Sequence, residues 1–273
     1  MKKLLLGIIV LGISGATMAQ EAADKKVQAG LVFGTGMNFQ KMGTKLMTTD
    51  GIGSDWTVGT NLSFTFNETV GFCTGVEFDF STMNYAAAAG NEIYYVYNDS
   101  EILQQADVAS STGSEIFRLS TRKQKATYLT VPTMLLFRTN FIGYFRYFGK
   151  FGLRNSFLLS SKITDQGSNL TPDDEILGVE EAGTNSNMSA KGDMFFFKSA
   201  VGLAGGTEWN FTGSTSLAVE IGYYYGFTPL HLDRKTEKTT LYTAAVENGT
   251  STDNNFSNQA TQTQLMLKVS LLF

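Results

Sequence analysis

Ten charged residues constrain this chain more than any other feature. Glu77, Asp79, Arg138, Arg146, Lys150, Arg154, Lys198, Glu208, Glu220 and Lys268 lie inside segments of alternating polar and apolar residues, and all ten occupy the polar register. The opposite register carries Val70, Phe72, Val76, Phe78 and Phe80 in one segment, and Phe145, Tyr147, Phe151, Leu153 and Phe157 in another. Val201, Leu203 and Trp209 follow, then Leu217, Val219, Ile221, Tyr223 and Tyr225; none of these positions is charged. Side chains alternate faces along a strand, so each segment reads as a strand with one apolar and one charged side. A Lys or Arg facing lipid at mid-bilayer costs about 2–4 kcal/mol, which explains the exclusion if the apolar side meets a membrane. A soluble lipocalin-like barrel would invert the arrangement, and alternation alone does not separate the two.

The connections do separate them. Eight segments are expected as strands: Val27–Phe39, Asp55–Asn67, Val70–Thr82, Ala126–Thr139, Tyr144–Ile163, Met194–Phe211, Ser214–Thr228 and Thr261–Phe273. Short turns fall at Asn67–Thr69, Asn140–Gly143 and Thr212–Gly213. Long polar stretches fall at Gln40–Ser54, Met83–Lys125, Thr164–Asp193 and Pro229–Ala260. Long and short alternate strictly, as in outer-membrane barrels with long outer loops and tight periplasmic turns. The expectation is an all-β, closed, antiparallel, eight-stranded transmembrane barrel with long extracellular loops and both ends periplasmic. Ile93–Tyr97 and Glu115–Leu119 read as extensions of the third and fourth strands, and ten strands would follow if they formed a membrane hairpin instead.

The last segment closes on an aromatic. Leu265, Leu267, Val269, Leu271 and Phe273 share one face, the form of an insertion signal for the machinery that builds outer-membrane barrels. At the other end, Lys2 and Lys3, the apolar run Leu4–Ile13 and the small residues up to Ala19 read as a signal peptide over residues 1–19, leaving 20–273 as the barrel domain. The mature part lacks an apolar run long enough to span as a helix. The expected location is therefore the outer membrane of a Gram-negative bacterium. Net charge of −4 argues against a nucleic-acid partner. The single Cys73 reads as a small buried side chain.

Tyr128-Leu-Thr-Val-Pro-Thr-Met-Leu-Leu-Phe137, followed by a short turn and Gly152-Leu-Arg-Asn-Ser-Phe-Leu-Leu-Ser-Ser161, resembles the PorT-like outer-membrane barrel family of Bacteroidota. Ala218-Val-Glu-Ile-Gly-Tyr-Tyr-Tyr-Gly226 and the closing Phe273 fit the same pattern. The resemblance implies an eight-stranded outer-membrane barrel, with service to a protein-secretion apparatus in one member. Its motifs are structural and carry over no catalytic residue.

The ten charges are expected to face a lumen just wide enough for side chains to fill, forming a packed polar core instead of a pore. Six bases against four acids pair there, because an unpaired buried charge costs several kcal/mol. Inward Gly30, Gly34, Gly36, Gly202 and Gly206 leave room for the long bases. Trp56, Tyr144, Phe145, Phe195, Trp209, Phe211, Tyr223 and Phe227 read as interfacial girdles. Pro132 removes a ladder donor and marks a bulge or a locally open partner strand.

His231, the only histidine, lies beside Asp233 in the last long connection and reads as a solvated loop residue; it is the one candidate general base for a rim enzyme. Asp165, Asp173, Asp174, Glu175, Glu180 and Glu181 read as a solvated acidic loop without metal-ligand spacing. Neither cofactor nor catalysis is expected. The expected task is a non-conducting structural or interaction platform in protein secretion or surface assembly. A rim enzyme and a small-solute or ion channel are the alternatives. Expected partners are outer-membrane lipid and lipopolysaccharide, the barrel insertion machinery and other membrane proteins.

Overall fold

The computed structural model describes residues 26–170, 181–212, 215–231, 236–247 and 250–273. The signal-peptide reading, part of the Thr212–Gly213 turn, Asp233 and most of the acidic loop lie outside the described residues. The long strands are β1 (Val27–Met42), β3 (Gly53–Thr65), β4 (Val70–Ala87), β7 (Glu115–Arg138), β8 (Phe145–Leu170), β10 (Phe197–Thr212), β11 (Thr215–Gly226) and β14 (Ala260–Leu272). Between them lie β2 (Met47–Thr49), β5 (Ile93–Asn98), β6 (Glu101–Ile102), β9 (Glu181–Ala190), β12 (Leu241–Glu247) and β13 (Thr250–Phe256). Fourteen strands stand among the described residues where eight were expected.

All pairings among the long strands are antiparallel. They run from β1 through β3, β4, β7, β8, β10 and β11 to β14, and β14 pairs back onto β1. Each link between sequence neighbours is either a tight turn or a long excursion. At one tight turn the Asn67 side chain accepts from the backbone N–H groups of Thr69 and Val70, at 3.0 and 2.7 Å, holding the chain reversal. At another, Gly143 has φ +67°, a conformation that a β-carbon disfavours.

Among the described residues the long excursions hold more strand than the two extensions expected from the sequence. β7 and β8 are 24 and 26 residues long and stay paired far beyond the apolar band, up to Ile116 opposite Leu170. β5 pairs with the upper end of β7, β9 with the upper end of β8, and β12 with both β5 and β13. Glu115–Leu119 therefore extends the fourth expected strand, whereas Ile93–Asn98 is a separate strand paired with it. Polar outward residues hid the stretch of β7 between Leu119 and Ala126, the top of β8 and β9, because a strand standing in water needs no apolar outer face.

Exposed large apolar residues map the outward band: Leu31, Phe33 and Phe39 on β1, Val58 on β3, Val76 and Phe80 on β4, and Phe151 and Leu153 on β8. Leu203 on β10, Ile221 and Tyr223 on β11 and Leu267 on β14 continue it around the sheet. Across the described residues of the upper extension, 82–126 and 160–195, no large apolar side chain is exposed. Two register shifts matter here, between Leu119 and Thr121 and between Thr127 and Tyr128. The second leaves an extra residue on β8 near Leu159, so the inward positions change from Arg154 and Ser156 below to Ile163 and Asp165 above. Pro132 faces Arg154 on β8 but has no register partner on β4, where the ladder skips from Thr74 opposite Thr133 to Glu77 opposite Thr130. The ladder is open there because proline has no N–H to give.

Candidate functional site: a charge-filled lumen beneath an apolar cap

Inside the apolar band, the lumen is occupied by paired charges. Nine of the ten singled-out residues are buried, and Lys150 is half-buried. Glu77 on β4 is the hub: Lys268 on β14 places Nζ 2.7 Å from its Oε1, and Arg154 on β8 donates to its Oε2 at 2.7 Å. Arg154 also reaches Asp79 at 2.6 Å. These strands are not neighbours, so the cluster crosses the lumen. Lys150 meets Glu220 at 2.5 Å, and Arg146 meets its cross-strand partner Glu208 at 2.7 Å. At the turn end Arg138 donates to Thr65 Oγ1 at 2.8 Å.

Lys198 has a different environment. Its ammonium sits 3.9 Å from the Tyr128 ring centroid and donates to Gln262 Oε1 at 2.9 Å. An aromatic face is a favourable seat for a desolvated cation. Asp55 belongs to the same polar core, accepting from Asn38 at 2.8 Å and Gln264 at 2.6 Å. Sequence reading placed Asp55 only at a strand start; its position opposite Gly36 in the β1 register carries it inward. The small residues also have a tenant: Tyr224 lies over Gly202 and Gly222, with Arg154 and Lys268 at 5.3 and 5.6 Å from its ring. Cys73 is buried 3.1 Å from Ser63 Oγ, at a cavity of about 20 Å³ near the turn end, room for one water. The face of the closing strand that carries Leu267, Val269 and Phe273 is exposed outward, and Leu265 and Leu271 are half-buried.

Above the band the interior changes character. Met83, Tyr85, Ile93, Tyr95, Phe117, Leu119, Ile163 and Leu241 belong to one fully buried apolar cluster, built almost wholly from the excursions. It fills the outer mouth. Two polar groups are sealed in it. Arg122 donates to Asp165 through Nε at 2.9 Å and Nη2 at 2.8 Å, with Tyr95 5.5 Å from the guanidinium carbon. Burial works against the Arg122 charge, but the Asp165 carboxylate outweighs it and holds the guanidinium pKa above its usual value. Asp165 is thus fully buried and paired, which corrects its reading as part of a solvated acidic loop; Glu181 alone of the remaining five is described, and it is exposed.

His231 is also buried, at 1% exposure, which corrects the solvated reading. Its Nδ1 lies 3.3 Å from Asp193 Oδ2, and Asn258 donates to Asp193 Oδ1 at 3.0 Å. Gln124 donates to the other Asp193 oxygen at 3.1 Å, and Tyr85 packs edge-on to the His231 ring. Burial pushes the Asp193 carboxyl up, but His231 and then Arg122 outweigh it, holding it well below the usual carboxylate range. Three separate excursions are pinned at this point. Asp193 was the last residue of an expected loop, and no local signal marks it as a core carboxylate.

An outward apolar band, a paired polar lumen and sequence now converge. The model of the outer membrane protein beta-barrel domain matches residues 18–232. The chain belongs to that family. No protein of curated function matches it. Among solved structures, the outer membrane protein OprG of Pseudomonas aeruginosa is similar at 10% identity, TM-score 0.35, covering 93% of this chain and 98% of that one. The outer membrane protease OmpT of Escherichia coli is similar at 8% identity and TM-score 0.39, covering 94% and 99%. A major outer membrane protein of Thermus thermophilus gives 13% identity and TM-score 0.36, covering 91% and 100%. This outer-membrane barrel resides in the outer membrane of a Gram-negative bacterium, so its apolar outer band meets lipid and its paired charges do not.

Proposed function

We propose that this barrel spans the membrane with the eight strands of the β1–β14 circuit and works as a non-conducting platform for partners in protein secretion or surface assembly. The observation that carries this reading is the apolar cap. Packed side chains close the outer mouth over a lumen already occupied by ion pairs, and a solute path would have to break both. The projecting sheet of β5, β7, β8, β9 and β12 supplies rigid surface beyond the membrane. The likeness of Tyr128–Phe137 and Gly152–Ser161 to PorT-like barrels, one of which serves a protein-secretion apparatus, is in keeping with this reading. Lipopolysaccharide, the barrel insertion machinery and neighbouring membrane proteins are the partners this reading requires.

Crosslinked affinity purification from native membranes in mild detergent tests it. Reproducible recovery of a secretion or assembly complex supports the platform. Recovery of the barrel alone, with large stable conductance in planar bilayers, would overturn it in favour of a channel. The reading is also non-enzymatic: a His231→Ala protein that still folds and still recovers its partners supports it, whereas loss of a lipid or peptide modification in that variant favours a rim enzyme.

A further inference from the structure

Three lysines stand together on the outer wall just above the lipid-facing band. Lys125 on β7 and Lys162 on β8 are directly opposite each other in the register, and Lys123 is two residues further up the same face of β7. All three are exposed. Like charges directly opposite on a sheet repel, so the pair is unfavourable unless something neutralises it. Among the described residues nothing does: no carboxylate pairs with any of the three, and the one contact is a long 3.5 Å approach of Lys162 Nζ to the Asn187 carbonyl. Higher on the same wall Arg118 is paired with Glu92 at 3.3 Å, so an outward cation on these strands has a partner where the surface lies deeper in water.

Height identifies the missing anion. Leu159 and Phe157 are the last exposed apolar residues of β8, and Lys162 follows three positions after Leu159. At about 3.3 Å per residue and a tilt near 40°, Lys162 rises roughly 7–8 Å above Leu159. That is about the depth of one headgroup layer. Phe196, whose carbonyl accepts from the Leu158 N–H, and Phe227, which donates its N–H to Ser199, are both exposed and extend the apolar floor toward β10 and β11. Acyl chains would lie against this floor while headgroup phosphates reach the three ammonium groups.

We infer that Lys123, Lys125 and Lys162 form a binding site for the phosphate groups of a phosphorylated glycolipid of the outer leaflet. This rests on the membrane reading of the barrel but not on any protein partner. The site fixes the rotational face on which the β7–β8 wall meets its glycolipid neighbour.

The test is native mass spectrometry of the full chain, folded in detergent, with diphosphoryl lipid A and with the same lipid dephosphorylated. The wild type should retain the diphosphoryl form and release the dephosphorylated one. The K123Q/K125Q/K162Q variant should bind roughly a hundredfold more weakly, from about a fivefold loss per lysine at an anionic surface. A K41Q/K45Q control, altering two exposed lysines elsewhere on the rim, should bind as wild type. Equal retention of both lipids by the wild type, or undiminished retention by the triple variant, overturns the inference. Displacement by inorganic phosphate, or equal retention of phosphatidylglycerol, also overturns it by showing a general anion patch. Should the triple variant fail to show a folded band on unboiled gels, the wild-type lipid comparison decides alone. Loss of the protein complex with lipid retention intact would overturn the platform and leave this site standing.

Discussion

Lys268 on β14 and Glu77 on β4 meet across the lumen, 191 residues apart in sequence, with Nζ 2.7 and 2.9 Å from the two carboxylate oxygens. Arg154 completes the cluster from a third strand. Replacing Glu77 by Ala strands the buried Lys268 and leaves Arg154 with Asp79 alone, and the expected cost is about 3–5 kcal/mol. The temperature at which the compact band is lost on unboiled gels should fall accordingly. A Glu77→Ala protein as heat-resistant as wild type would show that water neutralises the lumen and the pairs do not.

Replacing Arg146, Lys150 and Arg154 together should lower stability far more than it raises permeability. Glu208, Glu220 and Asp79 would lose their cations and Glu77 would keep Lys268 alone, while the cap above them stays in place. Parallel urea titration and bilayer conductance measure the two effects. Porin-like conductance in the triple variant would show that charge filling, and not the cap, is what closes the barrel.

The Arg122–Asp165 pair should behave as a buried ion pair in an apolar core. Arg122→Met alone strands Asp165 and should cost about 3–5 kcal/mol, whereas Arg122→Met with Asp165→Leu should recover most of that loss. Hydrogen exchange in β5 and the upper half of β7 reports the local change. Equal losses in the single and double variants would contradict this account.

Acid should loosen the cap through Asp193. Its folded pKa is lowered, so its contribution is fully present above the unfolded value of about 3.9 and is lost as pH falls through the depressed folded value. Proteolysis of the outer excursions should accelerate in that acid window in the wild type. An Asp193→Asn variant should be looser near neutral pH and lose this part of the acid response; an unchanged response would remove Asp193 from the account.

Tyr224 needs the bare backbone beneath it. A β-carbon at Gly222 would lie 2.7 Å from Tyr224 ring carbon Cε2, and one at Gly202 would collide with the same ring. Gly202→Val should therefore destabilise by about 1–3 kcal/mol. Adding Tyr224→Ala should relieve the clash in a double-mutant comparison by thermal band shift, and additive losses would refute it.

Much of the wall was legible in the sequence, because lipid enforces a local rule. Each outward residue of a membrane strand must be apolar whatever its neighbours are, so Phe72 to Phe80 and Leu217 to Tyr225 reveal their face two residues at a time. The same rule confined Glu77, Arg154 and Lys268 to the other face. It could not say which of them meet, since Lys268 and Glu77 come together only through the circuit of pairings that brings β14 back to β1. Above the membrane the rule lapses. Water tolerates any outer residue, so β9, the top of β8 and the middle of β7 looked like loop, β5 looked like a continuation of the strand before it, and the shift near Leu159 turned Asp165 inward against the parity of the strand below. His231 and Asp193 lie on separate excursions, and only tertiary packing buried them side by side. Local solvent chemistry wrote the lipid-facing register into the chain; long-range pairing chose the partners in the lumen and built the cap.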